Sequence, residues 1–167
     1  MYKIDASITE PTLLKIQSIS DDRGYLIPIT DDIDHDLFHR CYVVSDYGTG
    51  VIRGLHYHKL ETKIFTIVNG AAKFVTLKIS EDMADRNDLC EIADFIDDNP
   101  DSVQTFVLSN RHHGVLVIPP YYANGWVSLE DNTTLTSLSN LRYEEALNDD
   151  IRIDPYVVNE TWETIGR

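Results

Sequence analysis

Hydrophobic positions along the chain fall in short runs of six to nine residues in which they alternate with polar ones, and turn-forming residues separate the runs. LLKIQSIS, GYLIPIT, FHRCYVVSD, VIRGLHYH, KIFTIVNG, AKFVTLKIS, QTFVLS, GVLVIPP, GWVSLE and TTLTSLS are rich in β-branched and aromatic residues and predict about ten strands. Gly24, Gly48-Thr49-Gly50, Asn69-Gly70, Pro119-Pro120 and Asp131-Asn132 supply the turns between them. With so many short strands and no long amphipathic helix, the pattern predicts an all-β sandwich or small barrel.

Two segments break the pattern. Residues 81–101, EDMADRNDLCEIADFIDDNPD, space Leu89, Ile92, Ala93 and Ile96 helically and read as a loop carrying a short helix, a solvated excursion on the rim. RYEEALNDDIRIDP reads as a helical turn leading back onto the body, and Trp162 is expected to tie down the tail.

Composition then narrows the possibilities. A chain of 167 residues, 43% hydrophobic, fits one domain, residues 1–167. No stretch approaches the roughly 20 apolar residues that span a bilayer, and the start lacks a secretory pattern, so a soluble cytoplasmic protein is expected. Cys41 and Cys90 lack metal-type spacing. A net charge of −14 argues against nucleic acid and anionic membranes as partners. A small anionic substrate requires cations gathered locally, because charges beyond a Debye length of about 8 Å are screened.

His56 and His58 supply the candidate chemistry. Two residues apart on a strand, they share one face. The spacing G-x5-H-x-H-x4-x-x6-G, filled by Gly50, His56, His58, position 63 and Gly70, is similar to the first motif of the cupin superfamily. Metal-binding cupins carry glutamate at position 63, where this chain has Lys63, and a histidine where it has Asn124. An ammonium about 4 Å from a divalent ion would cost roughly 8 kcal/mol at an effective dielectric of 20. That is on the order of 10⁵ to 10⁶ in affinity, so the expectation is no metal and no other cofactor. Histidine beside lysine suits proton abstraction next to a carbonyl, with the ammonium stabilising the enolate oxygen.

Over most of its length the chain resembles the dTDP-4-dehydrorhamnose 3,5-epimerase family of cupin jelly-roll barrels. The matching stretches are DDRGYL (21–26), GVIRGLHYH (50–58), TKIFTIVNG (62–70), VIPPYYANGW (117–126) and DIRIDP (150–155). The resemblance implies a homodimeric, metal-free epimerase acting on a nucleotide-linked 4-keto-6-deoxysugar, with a dTDP-sugar as partner. It implies His56 as base, Asp154 as the carboxylate orienting it, Lys63 as the cation at the keto oxygen, and Arg53 and Tyr143 as substrate contacts. Arg23 matches an arginine that reaches the diphosphate, often from the neighbouring subunit. Three departures stand out: His58 replaces a glutamine, Asn124 a histidine, and Ser137 the general-acid tyrosine; all three are expected to line the substrate site. RGLHYHK is also similar to the RG-x-HAHK of the dTDP-4-keto-6-deoxyglucose 3,4-ketoisomerases, in which both histidines move protons and an arginine and tyrosines align with Arg40 and Tyr42. A silent sugar-nucleotide-binding cupin and a metal-dependent dioxygenase are the remaining alternatives.

Overall fold

Strands that alternate in polarity bury one face, and strands that are apolar throughout bury both. In the computed structural model, which describes residues 4–164, both kinds are assembled into two facing antiparallel sheets. In chain order the strands are β1 (Thr12–Lys15), β2 (Ile19–Asp21), β3 (Gly24–Leu26), β4 (Arg40–Asp46), β5 (Ile52–Tyr57), β6 (Lys63–Asn69), β7 (Ala71–Lys78), β8 (Val103–Ser109), β9 (Gly114–Ile118), β10 (Tyr122–Ser128), β11 (Thr133–Ser139) and β12 (Ile151–Arg152). One sheet runs β1-β9-β6-β11-β4, the other β12-β5-β10-β7-β8, and β2 pairs only with β3 in a separate hairpin. The predicted runs reappear with two changes: LLKIQSIS divides into β1 and β2, and the two-residue β12 was not anticipated.

Three apolar clusters explain the burial pattern. Between the sheets lie Phe65, Phe74, Leu116, Ile118, Trp126 and Leu135, with the Phe65, Phe74 and Trp126 ring centroids 5.1–5.8 Å apart. The outer face of the first sheet, through Ile64, Val115, Val117 and Leu138, is covered by Ile4, Ile33 and Leu37 of the N-terminal segment. The outer face of the second, through Leu55, Tyr57, Val75 and Leu77, is covered by helices α1 (Glu81–Arg86) and α2 (Leu89–Asp98) and by Val158 and Trp162. β6 and β7 therefore read as nearly continuous apolar runs because both of their faces are buried.

The acidic 81–101 segment is thus no solvated excursion. Ala84 and Ile92 are fully buried against the sheet, and the charged residues occupy the opposite faces of the two helices. Ser80 and Asp88 cap these helices through their side chains, accepting from the Met83 N–H and from the Cys90 and Glu91 N–H groups. The helical turn predicted in RYEEALNDDIRIDP is α3 (Tyr143–Leu147), and Trp162, in the short α4 (Asn159–Trp162), donates its indole N–H to the Pro155 carbonyl at 2.8 Å. No helix among the described residues is long and apolar enough to cross a membrane.

Candidate active site

The site owes its geometry to an irregularity in β5. Asn124 pairs with His56 and Trp126 with Arg53, so two steps along β10 match three along β5. The extra residue in β5 lets Arg53 and His56, three apart in sequence, lie on the same inner face. Gly54 makes this possible, with φ +131° and its Cα pressed against β10; a Cβ there would come within 2.7 Å of Gly125 Cα. A Cβ on Gly125 would meet the Arg53 carbonyl at 2.5 Å, so the crossing needs glycine on both strands.

That inner face opens into a cavity of about 490 Å³, whose lining includes Arg40, Tyr42, Arg53, His56, His58, Glu61, Lys63, Trp126, Tyr143 and Asp150. His56 Nδ1 lies 2.7 Å from Asp150 Oδ1. A carboxylate only accepts, so Nδ1 carries the proton and Nε2 is left as the atom able to take or release one. Burial alone would raise the Asp150 carboxyl; the His56 hydrogen bond and charge, with His58 and Lys63, hold it below the usual carboxylate range.

His58, 3% exposed, donates from Nδ1 to the Asp149 carbonyl at 2.9 Å, and Glu61 Oε2 lies 3.2 Å from the same nitrogen. Its Nε2 is buried without a partner among the described residues. Burial, reinforced by Lys63, pushes its pKa down to about 4, so His58 is neutral at pH 7. The two imidazoles are nearly parallel, 5° apart in plane, with centroids 6.4 Å apart. Lys63 is buried, its Nζ 3.7 Å from Glu61 Oε2, and Ser139 Oγ donates to Glu61 Oε1 at 2.6 Å.

A neighbouring carboxylate, Asp149, fixes the β5–β6 loop by accepting from the backbone N–H groups of Lys59, Leu60 and Glu61 at 2.8–2.9 Å. Arg53 Nε donates to buried Asp46 at 2.5 Å, and Asp46 also accepts from the Trp126 indole at 3.1 Å.

Of the residues expected at the site, His56, His58, Lys63, Arg53 and Tyr143 line one cavity. Asp154 does not: its exposed carboxylate accepts from the Tyr156 N–H and caps a 3-10 turn, while Asp150, four residues earlier, holds the imidazole. Asn124 points its amide at backbone, donating to the carbonyls of His56 (2.9 Å) and Tyr122 (3.2 Å), so it braces β5 and does not line the cavity. Ser137 is fully buried and does not line the cavity; it lies opposite Tyr42 in the sheet register, its Oγ unpartnered among the described residues. Arg23 sits on the β2–β3 turn, paired with Asp21, and does not line the cavity of its own chain.

Sequence reasoning missed Glu61, Asp46 and Asp150. The alternation of β4 places Asp46 on the face of Arg40, Tyr42 and Val44, a signal present in the sequence; Glu61 and Asp150 lie in loops whose path no periodicity reports. Among the described residues, no group of three or more His, Cys, Asp or Glu is placed to hold a metal ion.

The fold is the all-β cupin barrel. Residues 9–88 match the family model described as "FdtA: WxcM-like, C-terminal". No curated protein matches the chain by sequence. Among solved structures the chain is similar to the rmlC epimerase of Mycobacterium tuberculosis (18% identity over 99% of this chain and 78% of that one, TM-score 0.70). It is also similar to QdtA, a sugar 3,4-ketoisomerase from Thermoanaerobacterium thermosaccharolyticum solved with TDP (22%, 92% and 96%, TM-score 0.63). A third is ChmJ, a 3'-monoepimerase from Streptomyces bikiniensis solved with dTDP-quinovose (17%, 93% and 74%, TM-score 0.68).

Proposed function

We propose that the protein is a sugar-nucleotide isomerase of the epimerase type, acting on a nucleotide-linked 4-keto-6-deoxysugar by enolisation. The observation that carries this reading is the His56–Asp150 pair, 2.7 Å apart, in the same cavity as the buried ammonium of Lys63. His56 Nε2 takes the proton from the carbon next to the keto group. Asp150 fixes the tautomer and balances the imidazolium that forms, and Lys63 faces the oxygen on which enolate charge develops. The ligands bound in two of the similar structures, TDP and dTDP-quinovose, support a dTDP-sugar as substrate. A cytoplasmic homodimer in deoxysugar or surface polysaccharide biosynthesis completes the reading, with Arg23 reaching the partner's cavity.

One observation favours a second reading, the 3,4-ketoisomerase. His58 is a neutral imidazole with an unpartnered Nε2, parallel to His56, and serine stands where an epimerase carries its acid tyrosine. A second imidazole can pass a proton between neighbouring carbons, whereas a serine hydroxyl is a poor acid. Incubation with dTDP-4-keto-6-deoxyglucose in deuterated water separates the readings. Deuterium at C3 or C5 with the keto group still at C4 supports the epimerase. A keto group moved to C3 supports the ketoisomerase, and no exchange overturns both in favour of a silent binder.

A further inference from the structure

The cations of the cavity are not equivalent. Arg53 is bound to Asp46, Arg152 lies 3.4 Å from Asp150, and Lys63 lies 3.7 Å from Glu61. Arg40 is the cation of the cavity lining that has no carboxylate partner among the described residues. Its guanidinium instead lies over two rings, 4.5 Å from the centroid of Tyr42 and 5.0 Å from that of Tyr143. A ring contact attracts a guanidinium without neutralising its charge, so the group remains able to donate to an anion.

We propose that Arg40, held by Tyr42 and Tyr143, is the group in this cavity that receives the diphosphate of a nucleoside diphosphate ligand. Three features argue for it. A chain with net charge −14 repels anions at long range, so an anionic ligand must be met by local positive charge that no carboxylate has already neutralised. Recruiting Arg53 would require breaking a 2.5 Å bond and leaving Asp46, 2% exposed, with an unbalanced charge; recruiting Arg40 breaks no ion pair. A planar guanidinium also matches phosphate oxygens two at a time. Register places Arg40 opposite Ser139 on β11, which in turn lies opposite Lys63 on β6, so the anion contact and the ammonium share one row of the sheet. A ligand can then reach both at once.

This inference rests on the sugar-nucleotide reading for its choice of ligand but is tested apart from it. Calorimetric titration of the wild type, Arg40→Met and Arg40→Lys with dTDP and with inorganic pyrophosphate is the experiment, with thermal unfolding showing that each variant is folded. Arg40→Met should lose on the order of 10- to 100-fold in affinity for dTDP and as much for pyrophosphate, as removal of a charge-assisted contact requires. Arg40→Lys, which keeps the charge without the planar fork, should fall between. Unchanged dTDP affinity in Arg40→Met would overturn the assignment and leave the proposed function standing. Pyrophosphate binding that depends on Arg40, with no dTDP binding by the wild type, would uphold the anion site and remove the sugar-nucleotide reading. If the wild type bound neither probe, the anion site would fall.

Discussion

Two aspartates four residues apart have different tasks, and substitution separates them. Asp150 holds the proton-bearing nitrogen of His56, so Asp150→Asn should turn the imidazole to the wrong tautomer and lower kcat on the order of 10²- to 10⁴-fold with little effect on folding. Asp154 caps a helical turn, so Asp154→Ala should cost about 1 kcal/mol of stability and leave kcat within a few-fold. Steady-state kinetics on the two variants decides which carboxylate serves the base, and the reverse ranking would refute the assignment. His58 carries a prediction about acid stability. Its folded pKa of about 4 lies below the ordinary value of 6.5, so between these pH values the unfolded chain binds more protons than the folded one. Stability is therefore fully present above pH 6.5 and is lost as pH falls toward 4, by up to about 3 kcal/mol from this group. Asp150, whose pKa is lowered, withdraws its own contribution further down, as pH falls below the ordinary carboxylate range. Unfolding midpoints between pH 7 and 4 should drop steeply for the wild type and less for His58→Gln.

The β5–β10 crossing shows how much an element can conceal from its sequence. Alternation in VIRGLHYH assigns His56 and His58 to one face correctly but would put Arg53 on the other, since three is an odd number of steps. The bulge at Gly54 reverses that parity, and it follows from a close approach to Gly125 about 70 residues away in the chain, which no local pattern encodes. The loops share this property: Asp150 and Glu61 are placed by the path of the chain between elements, whereas α3, the turn at Asn69-Gly70 and the strands other than β12 were legible because each is written in local periodicity or turn chemistry, although β1 and β2 read as one run. The helices of the acidic segment were half legible, their spacing visible and the sheet face they cover not. Gly54→Ala tests the crossing directly. The methyl would meet backbone at 2.7 Å, and a φ of +131° suits only glycine, so a loss on the order of 2 to 4 kcal/mol is expected in denaturant unfolding. Catalysis should fall with it, because Arg53 and His56 depend on the same bulge; full stability with full activity would show that the strands can part at no cost.

At the scale of the whole molecule, the β2–β3 hairpin is the part that one chain leaves unfinished. It joins neither five-stranded sheet, and it exposes Ile19 and Tyr25 at 64% each and Leu26 at 59%. A lone two-stranded hairpin is marginally stable in water, and three exposed apolar side chains on one add to that cost. Arg23 at its tip is likewise spent on Asp21, although a diphosphate ligand would be a better partner. Both facts are resolved together if the hairpin packs on a second copy of the chain, burying the apolar residues and carrying Arg23 to the neighbour's cavity. In the homodimer proposed above, this contact would serve catalysis as well as stability. Ile19→Glu combined with Leu26→Glu should convert a dimer to a monomer in sedimentation velocity and raise KM for the sugar nucleotide while His56 and Asp150 stay intact. Arg23→Ala alone should raise KM without changing the mass. A wild type that sediments as a monomer at all accessible concentrations would show that the hairpin is tolerated exposed, and would leave the diphosphate to Arg40 of a single chain.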